Sequence, residues 1–190
     1  MPAFEAVFST ATVACRTVDL INVLTTPRPP DEDASTVLVE VLRRHGETGP
    51  LEISADDVEE LVAAAQDLRA VFLAPDARTA AERLNDLLAA ASPPRLTSHD
   101  GRTTWHLHVD HDDDGPWGEW LLTSGALALA TLLTEHQRPP GGVCAAPDCD
   151  RVFLVQGRGG PRRFCSPRCT TRTRVARHRR GATRLPREGV

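Results

Sequence analysis

The sequence predicts an α+β fold with a mainly helical N-terminal domain, a few short strands and a small cysteine-rich C-terminal unit. Three observations predict this. Apolar residues recur at helical spacing along much of residues 31–136. Residues 103–110 alternate between apolar and polar side chains, as a strand does. Four of the five cysteines lie between residues 144 and 169.

Composition places the chain among globular proteins. Its 190 residues are 41% hydrophobic and 25% charged, which suits one modest core with a small appendage and excludes a highly charged disordered chain. The uncharged apolar stretch 120–134 is shorter than the roughly 20 residues that cross a bilayer, so no membrane span is expected. Glu5 stands where a secretory signal would carry basic residues. We therefore expect a cytoplasmic protein.

Charge divides the chain into two unequal parts. Residues 1–140 carry a net charge of -13, and residues 141–190 carry +9, within a total of -4. An acidic body with a basic tail predicts a polyanionic partner for the tail. The alternative is that both charge runs are solvated surfaces without a partner.

The first half of the chain reads mainly as helices. Residues 4–24 form either a strand or a short helix. Residues 31–44 form a helix with acids in its first turn and basic residues in its last. Residues 54–57 resemble a capping box before a long helix that Pro75 ends. A further apolar stripe over 80–91 predicts a second helix, packed with the first as an antiparallel hairpin.

The second half combines a strand, a buried helix and a domain boundary. In 103–110, we expect Trp105, Leu107 and Val109 on a buried face. Residues 117–136 are apolar almost all round, as in a central helix. The Pro-Pro-Gly-Gly composition of 137–142 predicts a hinge. The predicted organisation is an N-terminal domain over 1–136, the hinge at 137–142, a basic C-terminal unit over 143–181 and a disordered tail over 182–190.

Two short-spaced cysteine pairs predict one structural zinc site. Four thiolates from two pairs close a tetrahedral shell at low entropic cost, and neighbouring Arg162, Arg163 and Arg168 are expected to lower the thiol pKa values. The alternatives are two disulfides or four unligated cysteines. The fifth, Cys15, is expected to be a small buried apolar residue. The predicted ligands are Cys144, Cys149, Cys165 and Cys169.

The second cysteine pair coincides with the predicted start of a basic helix. Ser166 can cap it, Pro167 suits its first position, and the pattern continues to Arg180 before Gly181. Most of its guanidinium groups must point outward because one face holds the metal. The predicted nucleic-acid-binding residues are Arg162, Arg163, Arg168, Arg172, Arg174, Arg177, Arg179 and Arg180.

The segment from Cys144 to Arg180, with its Cys165-Ser166-Pro167-Arg168-Cys169 core, resembles the CGNR zinc finger. Residues 18–22 and 84–88 are similar to the ABATE domain usually fused to it. Thr170 and Thr171 stand where the family name has glycine and asparagine. The resemblance implies a stress-induced transcription regulator, in which a treble-clef-like finger binds DNA and the larger domain senses a signal or dimerises.

The leading hypothesis is a DNA-binding transcription regulator, not an enzyme, whose basic helix contacts double-stranded DNA. We expect a homodimer through the N-terminal domain. A small-molecule effector stays open, since Asp19 and Asn22 either line a ligand pocket or cap their own backbone.

Two other functions stay open at this point. A small zinc fold can equally bind a protein or RNA. His106, His108, Asp110 and His111 could instead hold a catalytic metal.

Overall fold

The computed structural model describes residues 9–27, 29, 31–48, 50–98, 100–101, 105–109, 115–155 and 162–182, the last three without their side chains. The predicted fold class is confirmed: a mainly helical N-terminal part precedes a small C-terminal unit with a four-cysteine cluster. The described elements are α1 (Thr10–Thr25), α2 (Ala34–Arg44), α3 (Ala55–Phe72), α4 (Ala77–Ala90), β1 (Arg95–Thr97), β2 (His106–His108), α5 (Trp117–His136), β3 (Gly141–Val143), β4 (Val152–Leu154) and α6 (Pro167–Ala182).

Helix α1 resolves the open assignment of the first apolar segment. Ser9 caps it, because its hydroxyl accepts a hydrogen bond from the Thr12 backbone N–H at 3.2 Å. The helix buries Leu20 and Ile21 completely in the main core. Residues 4–8 of the predicted segment lie outside the described residues.

The next three helices begin at side-chain caps that the sequence carries. In α3, Ser54 and Asp57 exchange hydrogen bonds, which confirms the predicted capping box. Asp33 caps α2, so the acids expected in the first turn of that helix precede it instead. Asp76 caps α4, which contacts α3 as expected of a helix pair.

Helix α5 is the central helix that the sequence predicts. It contacts α1, α3 and α4, and Leu121 and Leu129 are completely buried within it. Gly125 allows close packing, since a Cβ atom there would lie 2.9 Å from side chains of both Leu68 and Thr17. No helix in the described ranges has the length and apolar character that a bilayer crossing requires.

The last two residues of the predicted hinge, 137–142, lie in a strand. Gly141 and Gly142 form strand β3, which pairs antiparallel with β4. A Cβ on Gly141 would lie 2.0 Å from the Phe153 carbonyl oxygen and 2.7 Å from the Phe72 ring. The glycine therefore permits close backbone packing rather than flexibility, and Val152 and Leu154 of β4 belong to the main core.

The expected burial of the alternating segment is wrong for two of its three residues. Strands β1 and β2 pair antiparallel with Leu96 opposite Leu107, yet Leu96 is 67% exposed, Trp105 74% and Leu107 53%. Val109 alone of the three expected inward residues is buried. Alternation identifies the residues that share a face, but whether another layer covers that face depends on the tertiary structure.

Candidate metal centre and basic helix

The four predicted ligand cysteines form one cluster. Their sulfur atoms all lie within 4.8 Å of one another. The Sγ atom of Cys165 lies 3.8 Å from that of Cys149 and 3.6 Å from that of Cys169, and the Cys169 to Cys149 distance is 3.7 Å. All four cysteines are free, and a disulfide would require sulfurs about 2 Å apart. The disulfide alternative is therefore excluded.

These distances fit a tetrahedral zinc ion. Four sulfurs bound at about 2.3 Å to one zinc are about 3.8 Å apart along each edge of the tetrahedron. Thiolate is also the donor that zinc prefers in structural sites. The cluster thus fits one structural zinc, with no ligand position left for a reactive water.

The first cysteine pair lies in the loop that joins β3 to β4. The Cys144 N–H donates to the Arg151 carbonyl oxygen at 2.9 Å, which closes this loop. Asp148 has φ +58° in the same loop, a left-handed conformation that aspartate tolerates better than most residues. The hairpin geometry brings Cys144 and Cys149 to one end of the two strands.

The second pair flanks the start of α6: Cys165 precedes the Ser166 cap, and Cys169 lies in the first turn. Ser166 caps α6 as predicted, because its hydroxyl accepts a hydrogen bond from the Cys169 N–H at 3.3 Å. Pro167 is the first helical residue, as predicted, and α6 continues past Gly181 to Ala182. The Cys165 N–H points to the Cys144 sulfur at 3.4 Å. The helix start and the hairpin loop therefore meet at the metal centre.

The pKa values of the ligand thiols are shifted by burial and hydrogen bonding rather than by the arginines that were expected to lower them. Burial raises the pKa of Cys149, and it raises the pKa of Cys165 to about 12. A hydrogen bond with Ser166 lowers the pKa of Cys169 to about 7. Four neighbouring thiolates repel one another, so a bound cation is what makes full deprotonation favourable.

Two of the predicted nucleic-acid residues are engaged within the finger. Arg162 donates to the carbonyl oxygens of Phe164, at 2.8 Å, and of Cys165, and its guanidinium lies 5.1 Å from the Phe153 ring centroid. Arg172 donates to the Cys169 sulfur at 3.8 Å. Arg162 thus ties the finger loop together, and Arg172 compensates negative charge on a ligand sulfur.

The arginines of α6 whose side chains are described, Arg172 included, present an exposed basic surface. Arg168, Arg172 and Arg179 occupy one helical stripe with Val175 between them, at positions i, i+4, i+7 and i+11. Arg174 and Arg177 are exposed on the other side of the helix, and Arg163 is exposed with its guanidinium 5.8 Å from the Phe164 ring centroid. The Arg180 side chain lies outside the described part. We call Arg168, Arg172 and Arg179 the α6 stripe.

The described part of the acidic body does not neutralise Arg168, Arg172, Arg174 or Arg177. Within the described ranges, no carboxylate lies at ion-pair distance from Arg168, Arg172, Arg174 or Arg177. An open groove of about 1000 Å³ separates α1 from the finger. Its charged lining consists of Arg151, Arg162, Arg168, Arg172, Asp19 and Asp148. Sequence reasoning missed Arg151, although its position two residues after a ligand cysteine was a usable signal.

Asn22 and Asp19 are engaged in contacts between elements rather than in caps of their own backbone. The Asn22 amide donates to the Val152 carbonyl oxygen at 3.0 Å and accepts from the Val152 N–H at 2.8 Å. Asp19 pairs with the His45 ring at 2.9 Å. Both residues also line the groove beside the finger.

Among the described residues, the alternative metal site at His106 and His108 has no group of three or more ligands that could hold an ion. His106 and His108 are half-buried on β2, with ring centroids 6.0 Å apart. Among described residues, the four-cysteine cluster is the metal-ligand group that the structure brings together. Asp110 and His111 lie outside the described part of the chain.

The comparison with known families agrees with this site. No curated protein matches the chain in sequence. Residues 142–181 match the sequence model of the CGNR zinc finger, and this segment contains all four ligand cysteines and α6. The C-terminal segment is thus supported as a CGNR-type zinc finger.

Proposed function

We propose that this protein is a non-catalytic transcription regulator whose zinc finger binds double-stranded DNA through α6. The observation that carries the proposal is the exposed α6 stripe, held on a helix with one metal ligand, Cys165, just before it and another, Cys169, in its first turn. Guanidinium groups bind phosphate oxygens and can also pair with the edge of guanine. A helix fits the DNA major groove, and the α6 stripe spans about 16 Å along its axis.

The charge distribution supports the same assignment. The body carries -13 and is repelled by a polyanion, whereas residues 141–190 carry +9. The groove beside α6 adds Arg151 to the basic surface at the foot of the helix. DNA therefore approaches from the finger side, with the acidic body turned away.

Dimerisation through the N-terminal domain belongs to the proposal. A finger that neutralises about five phosphates has a salt slope of roughly -4 to -5, which makes it weak at physiological salt. Two fingers in one dimer add their contacts at high effective concentration. Thiolate ligands also suit a reducing compartment, in agreement with the proposed cytoplasmic location.

The test is a salt series of binding measurements with the zinc-loaded full chain and a labelled DNA duplex. Each phosphate contact contributes about 0.9 to the slope of log affinity against log salt. We expect Arg168→Gln and Arg179→Gln each to reduce the slope by about 1. Arg44→Gln, an exposed arginine of α2, is the matched control and should leave it unchanged.

Three results would count against DNA binding by the finger. One is no complex with duplex DNA at low salt. Another is an affinity that does not change when a chelator removes the metal. The third is equal competition by single-stranded RNA, which would favour the RNA-binding alternative.

A further inference from the structure

A second cavity lies in the helical body, away from the metal centre. Its volume is about 470 Å³, within the range of small-molecule sites. Helices α1 and α5 and the segment 105–109 form its walls, and Glu47, from the loop after α2, completes them. The residues that matter most are Val13, Arg16, Glu47, Trp120, Leu127 and Ala128.

Arg16 places a buried cation in the wall of this cavity. Its side chain is 7% exposed, and its Nη1 donates to Glu47 Oε1. Its guanidinium carbon lies 4.2 Å from the Trp120 ring centroid. Since a guanidinium has five N–H donors, the bond to Glu47 leaves most of its donor capacity for a further acceptor.

The rest of the cavity is amphipathic. Val13, Leu127 and Ala128 provide an apolar surface beside Trp120, and Trp117 packs edge-on against Trp120 with ring centroids 5.4 Å apart. His106 and His108 lie on the β2 side of the cavity. This combination of apolar walls with a few convergent polar groups is typical of ligand sites.

The lining restricts the chemistry of an occupant. A cationic ligand would meet Arg16 and two histidines, and the one carboxylate among the described lining residues, that of Glu47, is already paired with that arginine. A polyanion such as DNA would meet Glu47 and apolar walls. A single carboxylate with an apolar body satisfies both the guanidinium and the aliphatic surface.

A contribution to folding stability is a weak explanation for the buried Arg16–Glu47 pair. Burial lowers the pKa of Arg16 while Glu47 opposes that effect, so the charge is held at a desolvation cost. Buried ion pairs often contribute no more stability than apolar residues of similar size. A guanidinium kept beside an open cavity is better explained by recognition.

We propose that this cavity binds a small carboxylic acid with an aromatic or aliphatic body. The carboxylate accepts hydrogen bonds from the Arg16 guanidinium, and the apolar body contacts Trp120 and Leu127. The described lining of the cavity contains no residue of the finger, so the test of ligand binding does not depend on whether the finger binds DNA.

The test uses tryptophan fluorescence of the zinc-loaded full chain without DNA. Of the three tryptophans in the chain, Trp105 and Trp120 line the cavity. The probes are phenylacetate and octanoate, each compared with its neutral amide. We expect at least one acid to quench saturably with a Kd at or below about 1 mM, and its amide to bind about tenfold or more weakly, because charge-assisted hydrogen bonds are lost.

Two variants separate recognition from a structural role. Arg16→Gln should abolish the preference for acid over amide. Glu47→Gln removes the competing carboxylate, keeps a neutral acceptor, and should raise acid affinity several-fold. Glu40→Gln, an exposed glutamate of α2, is the control and should change nothing.

The proposal is overturned if neither acid binds saturably, or if the amides bind as well as the acids. It is also overturned if folded Arg16→Gln keeps the acid preference. Should that variant fail to fold, Glu47→Gln decides: unchanged or weaker acid binding overturns the site.

Discussion

Asn22 links the helical body to the finger half of the chain. It is 2% exposed, and its amide makes two hydrogen bonds with the backbone of Val152. The side chain thereby replaces a neighbouring strand along the outer edge of β4, where an unpaired buried backbone group would be costly.

We expect Asn22→Ala to lower the free energy of unfolding of the zinc-loaded protein by about 2 kcal/mol or more. The reason is that it leaves the N–H and carbonyl groups of Val152 buried without partners, at about 1–3 kcal/mol each. Urea titration measures the change. Asn85→Ala, at an exposed position of α4, should cost under about 0.5 kcal/mol, and equal effects of the two changes would contradict this role of Asn22.

Residue roles were predictable where spacing alone defines the geometry. The ligand cysteines could be identified because two short-spaced pairs have few ways to meet except around one ion. The roles of Arg162 and Asn22 could not, since each depends on carbonyl groups that only the folded chain brings near. The role of Arg16 could not be predicted for the same reason, because its partner, Glu47, lies 31 residues away.

The start of α3 shows an element whose boundary the sequence encodes locally. Its capping box joins Ser54 and Asp57 through reciprocal hydrogen bonds. The Ser54 hydroxyl and backbone N–H lower the pKa of Asp57 below its usual 3.8. The ionised carboxylate therefore stabilises the fold above about pH 4, and this contribution is lost as pH falls through the lowered pKa.

We expect Ser54→Ala to destabilise the protein by about 1 kcal/mol at neutral pH. Asp57→Asn should destabilise it less, and its difference from the unsubstituted chain should shrink as pH falls from about 4 through the lowered pKa, where the Asp57 carboxyl becomes neutral too. Urea midpoints across a pH series measure this. Asp67→Asn, exposed in the same helix, is the control; a pH-independent effect of Asp57→Asn would contradict the role of the carboxylate.

Elements whose conformation depends on packing against distant parts of the chain were harder to predict. The glycines at 141 and 142 suggested a hinge, yet they lie in β3, where a Cβ atom on Gly141 would clash with the Phe153 carbonyl oxygen and the Phe72 ring. The first apolar segment could not be assigned as helix or strand from its pattern, since both faces of α1 carry apolar residues packed against other elements.

At the scale of the whole molecule, the described residues form two separate clusters of buried side chains. The main core includes residues from each of the first five helices, together with Val152 and Leu154 of β4. A separate cluster contains Cys144, Ala146 and Cys169, with Phe164 packed against it. The metal centre is thus the core of the finger, while the hairpin that carries its first ligands is anchored in the body.

We expect metal removal with a strong chelator to unfold the finger and leave the body folded. Helical circular dichroism should fall by no more than the share of the 16-residue α6, because the cysteine cluster cannot hold together without a cation. Tryptophan fluorescence should stay native, since all three tryptophans lie in the body.

Cys15→Ser provides the control and should still bind one zinc per chain, since Cys15 lies outside the ligand cluster. Loss of the native tryptophan signal together with the metal would show instead that body and finger unfold as one cooperative unit.

Under the proposed DNA binding, the anchored hairpin has a consequence for how target sequences would be spaced. Because β4 is fixed in the body, a two-fold pairing of bodies would hold two metal centres at a set separation and orientation. If the finger binds DNA as proposed, such an assembly would read inverted repeats with a fixed centre-to-centre distance, commonly about one turn of the double helix. Adding about five base pairs between the repeats would turn one of them to the opposite side of the duplex and abolish joint binding.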